Sequence, residues 1–229
     1  MSDTNKAEAL SPHHYFKEGS TDAKTEHRKS YLWAKRTMDV LGSLAGLLLL
    51  LPVFAVISVL IKLEDPKGAV FFRQMRVGKN GKAFAMYKFR SMVWNAEDLL
   101  KDLLDKNEIQ GAMFKMKDDP RITKIGKILR VTSLDELPQL WNVLKGEMSL
   151  VGPRPPLQRE VDQYTGYDKQ RLLVVPGCTG LWQVSGRNGL SFQQMVELDL
   201  YYIRQQSLWF DVKLIFKTVW IMLVPKNSY

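Results

Sequence analysis

Histidine is scarce in this chain of 229 residues. The three histidines, His13, His14 and His27, all lie near the N-terminus, so a domain further along the chain works without an imidazole. This excludes Ser-His-Asp and Cys-His nucleophile systems there, together with metal sites that use histidine ligands.

Cysteine is rarer still, because Cys178 is the only one. One thiol excludes an internal disulfide and a structural zinc site, and it fits a reducing compartment. No base is available to activate the thiol, so we interpret Cys178 as a small buried apolar side chain rather than a nucleophile. An enzyme with this composition would depend on carboxylates for its chemistry, with lysine and arginine to balance charge.

The chain is basic, with a formal net charge of +9 and a pI near 9.5. This favours an anionic partner such as an acidic membrane surface, a phosphorylated substrate or a nucleic acid. The basic residues are scattered along the chain, so we expect no nucleic-acid binding. Residues 1–30 are polar and aperiodic, which predicts a flexible tail, and they lack the apolar core of a signal peptide, so export is not expected.

Charged residues are absent from residues 40–61, VLGSLAGLLLLLPVFAVISVLI. At about 1.5 Å per residue this run is long enough to cross a hydrocarbon core of roughly 30 Å. Pro52, near its middle, predicts a kink. Lysine and arginine flank both ends, whereas a spanning helix carries an excess at one end. The pattern favours a re-entrant helix over residues 31–62 that breaks at Pro52; a kinked spanning helix is the alternative, and a buried helix of a soluble protein fits less well.

The segment from residue 68 to residue 92 predicts a β-hairpin, because Asn80-Gly81 separates two apolar runs. Its cations are Arg73, Arg76, Lys79, Lys82, Lys88 and Arg90. We interpret the lysines of the turn as a solvated edge. Lys88 and Arg90 precede the next helix, and we expect them to meet an anionic substrate.

Asp135 and Glu136 are adjacent carboxylates within residues 130–155, RVTSLDELPQLWNVLKGEMSLVGPRP. Proline is tolerated only in the first turn of a helix, so Pro138 predicts a helix that begins within a few residues of it, with Ser133 or Asp135 as N-cap. Backbone amides at that terminus would keep both acids ionised, ready to act as a nucleophile or a metal ligand. The alternative is structural, since Ser133-x-x-Glu136 is also a capping box.

Three basic segments surround this pair in the sequence. Residues 122–130 predict a short basic helix that delivers Arg130 to the carboxylates. The stiff Gly-Pro-Arg-Pro loop presents Arg154, which suits a phosphate. Residues 176–188, PGCTGLWQVSGRN, are rich in glycine, can wrap backbone amides around an anion, and include Arg187 as a further candidate phosphate ligand.

Two amphipathic helices complete the prediction. Residues 96–109 space their leucines for ordinary packing. Residues 208–224, LWFDVKLIFKTVWIMLV, are typical of a helix in the membrane interface, with tryptophans at headgroup depth and Lys213 and Lys217 towards water. The alternative for this second helix is a core helix with two snorkelling lysines.

Several long strings, in this order, resemble the monotopic bacterial phosphoglycosyl transferases, the sugar transferases that prime lipid-linked polysaccharide synthesis. They are KRTMDV, the proline-broken apolar segment, FFRQMRVGKNGKAFAMYKFRSM, LRVTSLDELPQLWNVLKGEMSLVGPRP and PGCTGLWQVSGRN. The resemblance covers nearly everything from Lys35 to Trp220.

The resemblance implies an enzyme that moves a sugar 1-phosphate from a UDP-sugar onto polyprenyl phosphate, usually undecaprenyl phosphate, with release of UMP and a requirement for Mg2+. It implies the first membrane step of exopolysaccharide or capsule synthesis, at the cytoplasmic face of the bacterial inner membrane. By family habit the sugar is galactose or glucose, and N-acetylated sugars stay open.

The resemblance also implies residue roles. Asp135 is the nucleophile that forms a covalent phosphosugar intermediate, Glu136 assists it, and Arg154 binds phosphate. The predicted phosphate-binding set is Lys88, Arg90, Arg130, Arg154 and Arg187, and Asp135 is also the expected metal ligand.

We therefore expect an α-rich α+β fold. Residues 1–30 form a flexible polar tail, residues 31–62 a membrane-inserted helix, and residues 63–229 a cytosolic, helical catalytic domain with a small β-hairpin and interfacial amphipathic helices. The competing function is a non-enzymatic basic membrane adaptor of polysaccharide assembly. A homo-oligomer is compatible with either function.

Overall fold

The computed structural model describes residues 29–100, 103, 116, 118–186 and 190–223. The tail expected over residues 1–30 lies almost entirely outside the described residues, and so does most of the second half of the helix predicted over residues 96–109.

Two long helices open the described chain, α1 (Lys29–Leu49) and α2 (Leu51–Glu64). Pro52 lies in the first turn of α2, where its missing N–H removes no helical hydrogen bond. The two axes are bent by 58°, so the kink predicted at Pro52 is confirmed. Among the described helices none is long and apolar enough to cross a bilayer alone, whereas this bent pair meets that criterion of length and composition when taken together.

Helix α1 turns its polar side towards the rest of the protein. Lys35, Asp39 and Ser43 recur every four residues and are buried along one face. The Lys35 ammonium donates to the Asp211 carboxylate at 2.9 Å. The Asp39 carboxylate accepts from the Ser149 hydroxyl at 3.0 Å and from the next backbone amide at 2.9 Å. Polar contacts therefore fix α1 to the domain.

The other side of the helix pair is apolar and exposed. Its exposed large side chains are Leu32, Trp33, Leu41, Leu44, Leu48, Leu49, Leu51, Val56, Val59, Leu60 and Leu63. This number of exposed apolar side chains on two successive helices is typical of an interaction site, because exposing apolar area to water is unfavourable.

The predicted β-hairpin is confirmed. Strands β1 (Phe71–Val77) and β2 (Ala83–Phe89) pair antiparallel with Val77 opposite Ala83. In the connecting turn Asn80 has φ of 55° and Gly81 has φ of 79°, the left-handed conformation that these two residue types adopt at least cost.

The central elements are α3 (Ala96–Leu100), α4 (Lys124–Thr132), a 3-10 turn (Leu134–Glu136) and α5 (Gln139–Lys145). The basic helix predicted over residues 122–130 is confirmed as α4. Asn142 of α5 is fully buried; its side chain accepts from the Tyr87 amide at 3.0 Å and donates to the Ala85 carbonyl at 2.7 Å. These bonds satisfy the free edge of β2 and fix Lys88 beside the 3-10 turn.

The remaining elements are β3 (Ser149–Val151), α6 (Gln158–Val161), a 3-10 turn (Asp168–Leu173), β4 (Gly177–Thr179), α7 (Leu181–Ser185), α8 (Phe192–Arg204) and α9 (Leu208–Leu223). Strands β3 and β4 pair in parallel, and the largest hydrophobic cluster packs α7, α8 and α9 around Leu198, Tyr202 and Leu214. The α-rich α+β class is confirmed, with two two-stranded sheets among the described residues.

Helix α9 has one buried face and one exposed face. Asp211 and Leu214 are buried, whereas Trp209, Phe216 and Trp220 are 67%, 73% and 66% exposed. A core helix does not fit these exposures. Its placement in a membrane interface stays a prediction.

Candidate active site

Asp135 and Glu136 lie in the short 3-10 turn between α4 and α5. The predicted N-cap and capping box are wrong: α5 begins directly after Pro138, which is its N-cap, and Ser133 makes no side-chain capping bond. Ser133 instead ends α4 in the left-handed conformation, with φ of 58°. The two helices follow each other so closely that Ser133 terminates the first rather than opening the second.

Asp135 is a buried carboxyl group, 8% exposed. Burial raises its pKa from 3.8 to about 6, against the opposing attraction of Lys88 and with a further increase from the Glu136 charge. Backbone amides at a helix N-terminus were expected to favour the ionised carboxylate, and for Asp135 this expectation is wrong. With a pKa of about 6 the group is still mostly ionised at pH 7. Keeping it ionised costs on the order of 3 kcal/mol of folding stability, a cost that sets in as the pH rises from about 4 to about 6.

Glu136 differs from its neighbour because it has a cationic partner. Its carboxylate accepts from the Lys88 ammonium at 2.7 Å. Burial acts to raise the pKa of Glu136, but Lys88, Arg154 and Arg76 together outweigh it, and the pKa lies below its usual value. Adjacent acids with pKa values displaced in opposite directions are typical of carboxyl groups with different roles in one site.

Two of the predicted phosphate ligands line the same cavity as this pair. Arg130, in the last turn of α4, donates from Nε to the Ser91 hydroxyl at 2.9 Å. Arg154 also lines the cavity, and within the described part of the chain it has no hydrogen-bond or ion-pair partner. Its guanidinium is therefore available to an anion.

Two other predicted phosphate ligands are placed differently. Arg90 borders the cavity, but its guanidinium pairs with the Asp65 carboxylate at 2.8 Å and donates to the Asp65 carbonyl at 2.6 Å. These bonds tie β2 to the end of α2, so contact with a phosphate would compete with a structural role. Arg187 lies outside the described residues.

Arg76 belongs to the site although sequence reasoning grouped it with the hairpin cations. It is 5% exposed, and it donates to the Pro155 carbonyl at 3.0 Å and to the Gln74 side chain at 2.6 Å and 3.1 Å. Burial and then the charge of Arg154 lower its pKa to about 10. Strand alternation puts Gln74 and Arg76 on one face of β1. In the sequence, two polar residues on one face of a strand are equally typical of a solvent-exposed edge, so the pattern alone does not identify Arg76 as a site residue.

The cavity has a volume of about 810 Å³. Its polar wall includes Asp135, Glu136, Lys88, Arg130 and Arg154. A smaller cavity of about 20 Å³ lies beside it and is bordered by Arg76, Glu136 and Arg154, which is room for a single water. The predicted carboxylates and three of the predicted cations therefore converge on one space.

The glycine-rich segment supports this site through backbone packing. The Gly177 amide donates to the Pro153 carbonyl at 2.9 Å, and the Gly152 amide donates to the Thr179 carbonyl at 2.8 Å. A Cβ on Gly177 would collide with the backbone of Gly152. The Gly177 amide is occupied, so the predicted wrapping of an anion is wrong for this amide. Glycine is needed here because two backbone segments approach closely.

Cys178 lies between those packed loops and borders the cavity. Burial raises the pKa of its thiol far above the ordinary value. The thiolate is therefore scarce at neutral pH, which supports the interpretation of Cys178 as a packing residue.

Magnesium is compatible with the donor chemistry of the pair. The described residues contain no cluster of three or more histidine, cysteine, aspartate or glutamate side chains suited to a metal ion. Mg2+ does not need such a cluster, because it is commonly held by one or two carboxylates together with substrate phosphates. Asp135 fits that pattern.

The profile of the family described as bacterial sugar transferase matches residues 30–225. The chain is 49% identical over 205 residues to the galactosyl transferase CpsE of Streptococcus agalactiae, an alignment covering 88% of this chain and 45% of the relative. It is 43% identical over 206 residues to the undecaprenyl-phosphate galactose phosphotransferase of Salmonella typhimurium, covering 88% of this chain and 43% of the relative.

A third relative has a length similar to that of this chain. The exopolysaccharide production protein ExoY of Rhizobium meliloti is 42% identical over 200 residues, covering 86% of this chain and 88% of the relative. The chain therefore spans less than half of the Streptococcus and Salmonella proteins but nearly all of the Rhizobium protein.

We expect Arg76→Gln to weaken the binding of inorganic pyrophosphate about tenfold, because it removes a buried positive charge beside Arg154 and releases the Pro155 carbonyl. Calorimetric titration of the purified protein measures this. Arg73→Gln is the matched control, since Arg73 is an exposed arginine on the same strand, and its effect should stay within about twofold. Equal effects of the two substitutions would contradict a specific role for Arg76.

Proposed function

Because the chain belongs to the bacterial sugar transferase family, we propose that it transfers a sugar 1-phosphate from a UDP-sugar to undecaprenyl phosphate and releases UMP. Galactose or glucose is the proposed sugar, and the proposed role is the first membrane step of exopolysaccharide or capsule synthesis. The observation that carries the proposal is the buried carboxyl group of Asp135, with a pKa of about 6, at the wall of a cavity that Lys88, Arg130 and Arg154 also line.

In the first half-reaction an oxygen of the Asp135 carboxylate attacks the phosphorus bonded to the sugar. The bond from this phosphorus to the bridging oxygen breaks, and UMP leaves with the electron pair. Asp135 then carries the sugar phosphate as an acyl phosphate. Lys88 and Arg154 offset the negative charge that gathers around the reacting phosphorus.

In the second half-reaction an oxygen of the lipid phosphate attacks the same phosphorus, and Asp135 leaves as a carboxylate. The product is a lipid diphosphate sugar. Two separate displacements mean that the nucleotide sugar and the lipid need not occupy the cavity together. Glu136, held ionised by Lys88, keeps that ammonium in place beside Asp135 throughout.

Mg2+ is the proposed cofactor, held by Asp135 and the substrate phosphates. When bound, it supplies neutralisation of phosphate charge. The cationic side chains of this site add to that neutralisation.

Helices α1 and α2 are proposed to form a re-entrant membrane segment. The support is their 58° bend, the exposed apolar side that they share, and the polar side of α1 that is fixed to the catalytic domain. Such a segment keeps both of its flanks on one face of the membrane. The proposed face is the cytoplasmic one, where a water-soluble nucleotide sugar can meet a lipid phosphate.

Asp135→Asn should abolish UMP release from every UDP-sugar that the protein accepts, because an amide cannot form the acyl phosphate. It should also raise the midpoint of thermal unfolding at pH 7, since it removes the cost of a buried charge. Asp98→Asn, at an exposed acid, should change neither. An Asp135→Asn variant with the original rate would rule out Asp135 as the nucleophile. A wild-type protein that releases no UMP would favour the competing function, a non-enzymatic membrane adaptor.

The rate of UMP release in a single turnover without lipid acceptor should fall about tenfold from pH 7 to pH 5, since a group with a pKa of about 6 loses its charge over this interval. The acceptor is omitted because its phosphate monoester titrates in the same range. Glu136 stays ionised here because its pKa is lowered. A rate that holds down to pH 5 would contradict the assignment.

Single cysteines at positions 29 and 67, in a Cys178→Ser background, should both react with a membrane-impermeant maleimide in inverted vesicles and neither in intact spheroplasts. Lys29 and Lys67 are exposed and flank the helix pair. Labelling after permeabilisation is the control for reactivity. Labelling of the two positions from opposite sides would show a kinked spanning helix instead.

A further inference from the structure

The lining of the cavity combines polar and apolar side chains. The polar part of the lining includes Arg90, Ser91, Glu97, Arg121 and Arg130. The other part, which we name the apolar lobe, is lined by Leu140, Leu150, Ile215, Val219 and Met222. A nucleotide matches the second lining poorly, because its ribose and phosphates are polar.

One wall of the apolar lobe adjoins helix α1. Leu150 lies against Gly42 of α1, and Leu140 lies against Gly46, so closely that a Cβ on either glycine would come within 3.0 Å of the leucine. The opposite side of α1 exposes leucines to the surroundings. The lobe is therefore next to the helix that we propose enters the membrane.

The other wall of the apolar lobe is helix α9. Ile215, Val219 and Met222 recur every three or four residues and so share one face of that helix. The Thr218 hydroxyl bonds the Thr179 hydroxyl at 2.7 Å and fixes α9 on β4. Val219 is 48% exposed, so the lobe reaches the surface of the protein at this residue.

The stereochemistry of the proposed reaction assigns an occupant to this lobe. Displacement at phosphorus is in line, so Asp135 and UMP occupy opposite sides of the phosphorus in the first step. In the second step the lipid phosphate must enter opposite Asp135, where UMP has left. The two phosphates thus use the same cations in turn, but one carries a uridine and the other an isoprenoid chain.

We propose that the apolar lobe binds the first isoprene units of the acceptor lipid while its phosphate takes the place vacated by UMP. This rests on the proposed function. The uridine occupies the polar part, and the chain leaves the protein past Val219 into the bilayer beside α1. Apolar contacts in the lobe align the acceptor for attack, which a chain lying wholly in the bilayer would not provide.

Val219→Trp tests this, because an indole fills the lobe. Phe216→Trp is the matched control, since Phe216 lies on the same helix, is 73% exposed and does not border the cavity. The acceptor is a water-soluble phosphate ester of two isoprene units, so that membrane partitioning does not enter the measurement. Two quantities are compared, the KM for this acceptor and the rate of UMP release in a single turnover without acceptor.

We expect Val219→Trp to raise the acceptor KM at least tenfold and to change the UMP release rate by less than twofold, whereas Phe216→Trp changes neither by more than twofold. Val219→Thr has nearly the original shape and is expected to raise the acceptor KM about threefold, which keeps the test decisive if the tryptophan variant does not fold.

An unchanged acceptor KM in both Val219 variants would overturn the proposal. A fall in the rate of UMP release as large as the rise in the acceptor KM would also overturn it, because the lobe would then belong to the nucleotide sugar. Either result leaves the proposed function intact. Absence of UMP release from the unmodified protein with every UDP-sugar would instead remove the proposed function, and this inference with it.

Discussion

The ion pair between Lys88 and Glu136 is the contact on which the chemistry of this site depends. It keeps the pKa of Glu136 below its usual value, whereas buried Asp135, which forms no salt bridge within the described part of the chain, has a pKa of about 6. The pair requires β2 to lie beside the 3-10 turn, and the buried side chain of Asn142 fixes it there. A hairpin and a helix–turn–helix segment thus produce two acids with different properties from neighbouring positions.

Polar contacts of α1 link the proposed membrane segment to the phosphate-binding loop. Asp39 holds the first residues of β3, and Lys35 holds Asp211, whose carboxylate also accepts from the Tyr202 hydroxyl at 2.6 Å. The same hydroxyl oxygen lies 3.1 Å from the Val151 carbonyl oxygen, three residues before Arg154. Helix α1 and the segment that leads to the loop of Arg154 are therefore connected through one network of polar contacts.

Local signals in the sequence predicted local structure well. Asn80-Gly81 specified the hairpin turn and Pro52 the bend, because each residue type restricts its own backbone. Features that depend on distant partners were missed or misassigned. Ser133 ends one helix instead of capping the next. The parallel pairing of β3 with β4 involves only three residues on each strand. Arg76 contacts a loop that lies 79 residues away in the sequence. A single sequence does not report such contacts.

The proposed mechanism requires a covalent bond between Asp135 and the sugar phosphate. Mass spectrometry of the acid-quenched protein after incubation with Mg2+ and a UDP-sugar, with no lipid present, tests it most directly. We expect the peptide that contains Asp135 to gain the mass of one sugar phosphate less one water, in step with the UMP released, and to lose it when polyprenyl phosphate is added before the quench. UMP release that requires the lipid, with this peptide always unmodified, would contradict it.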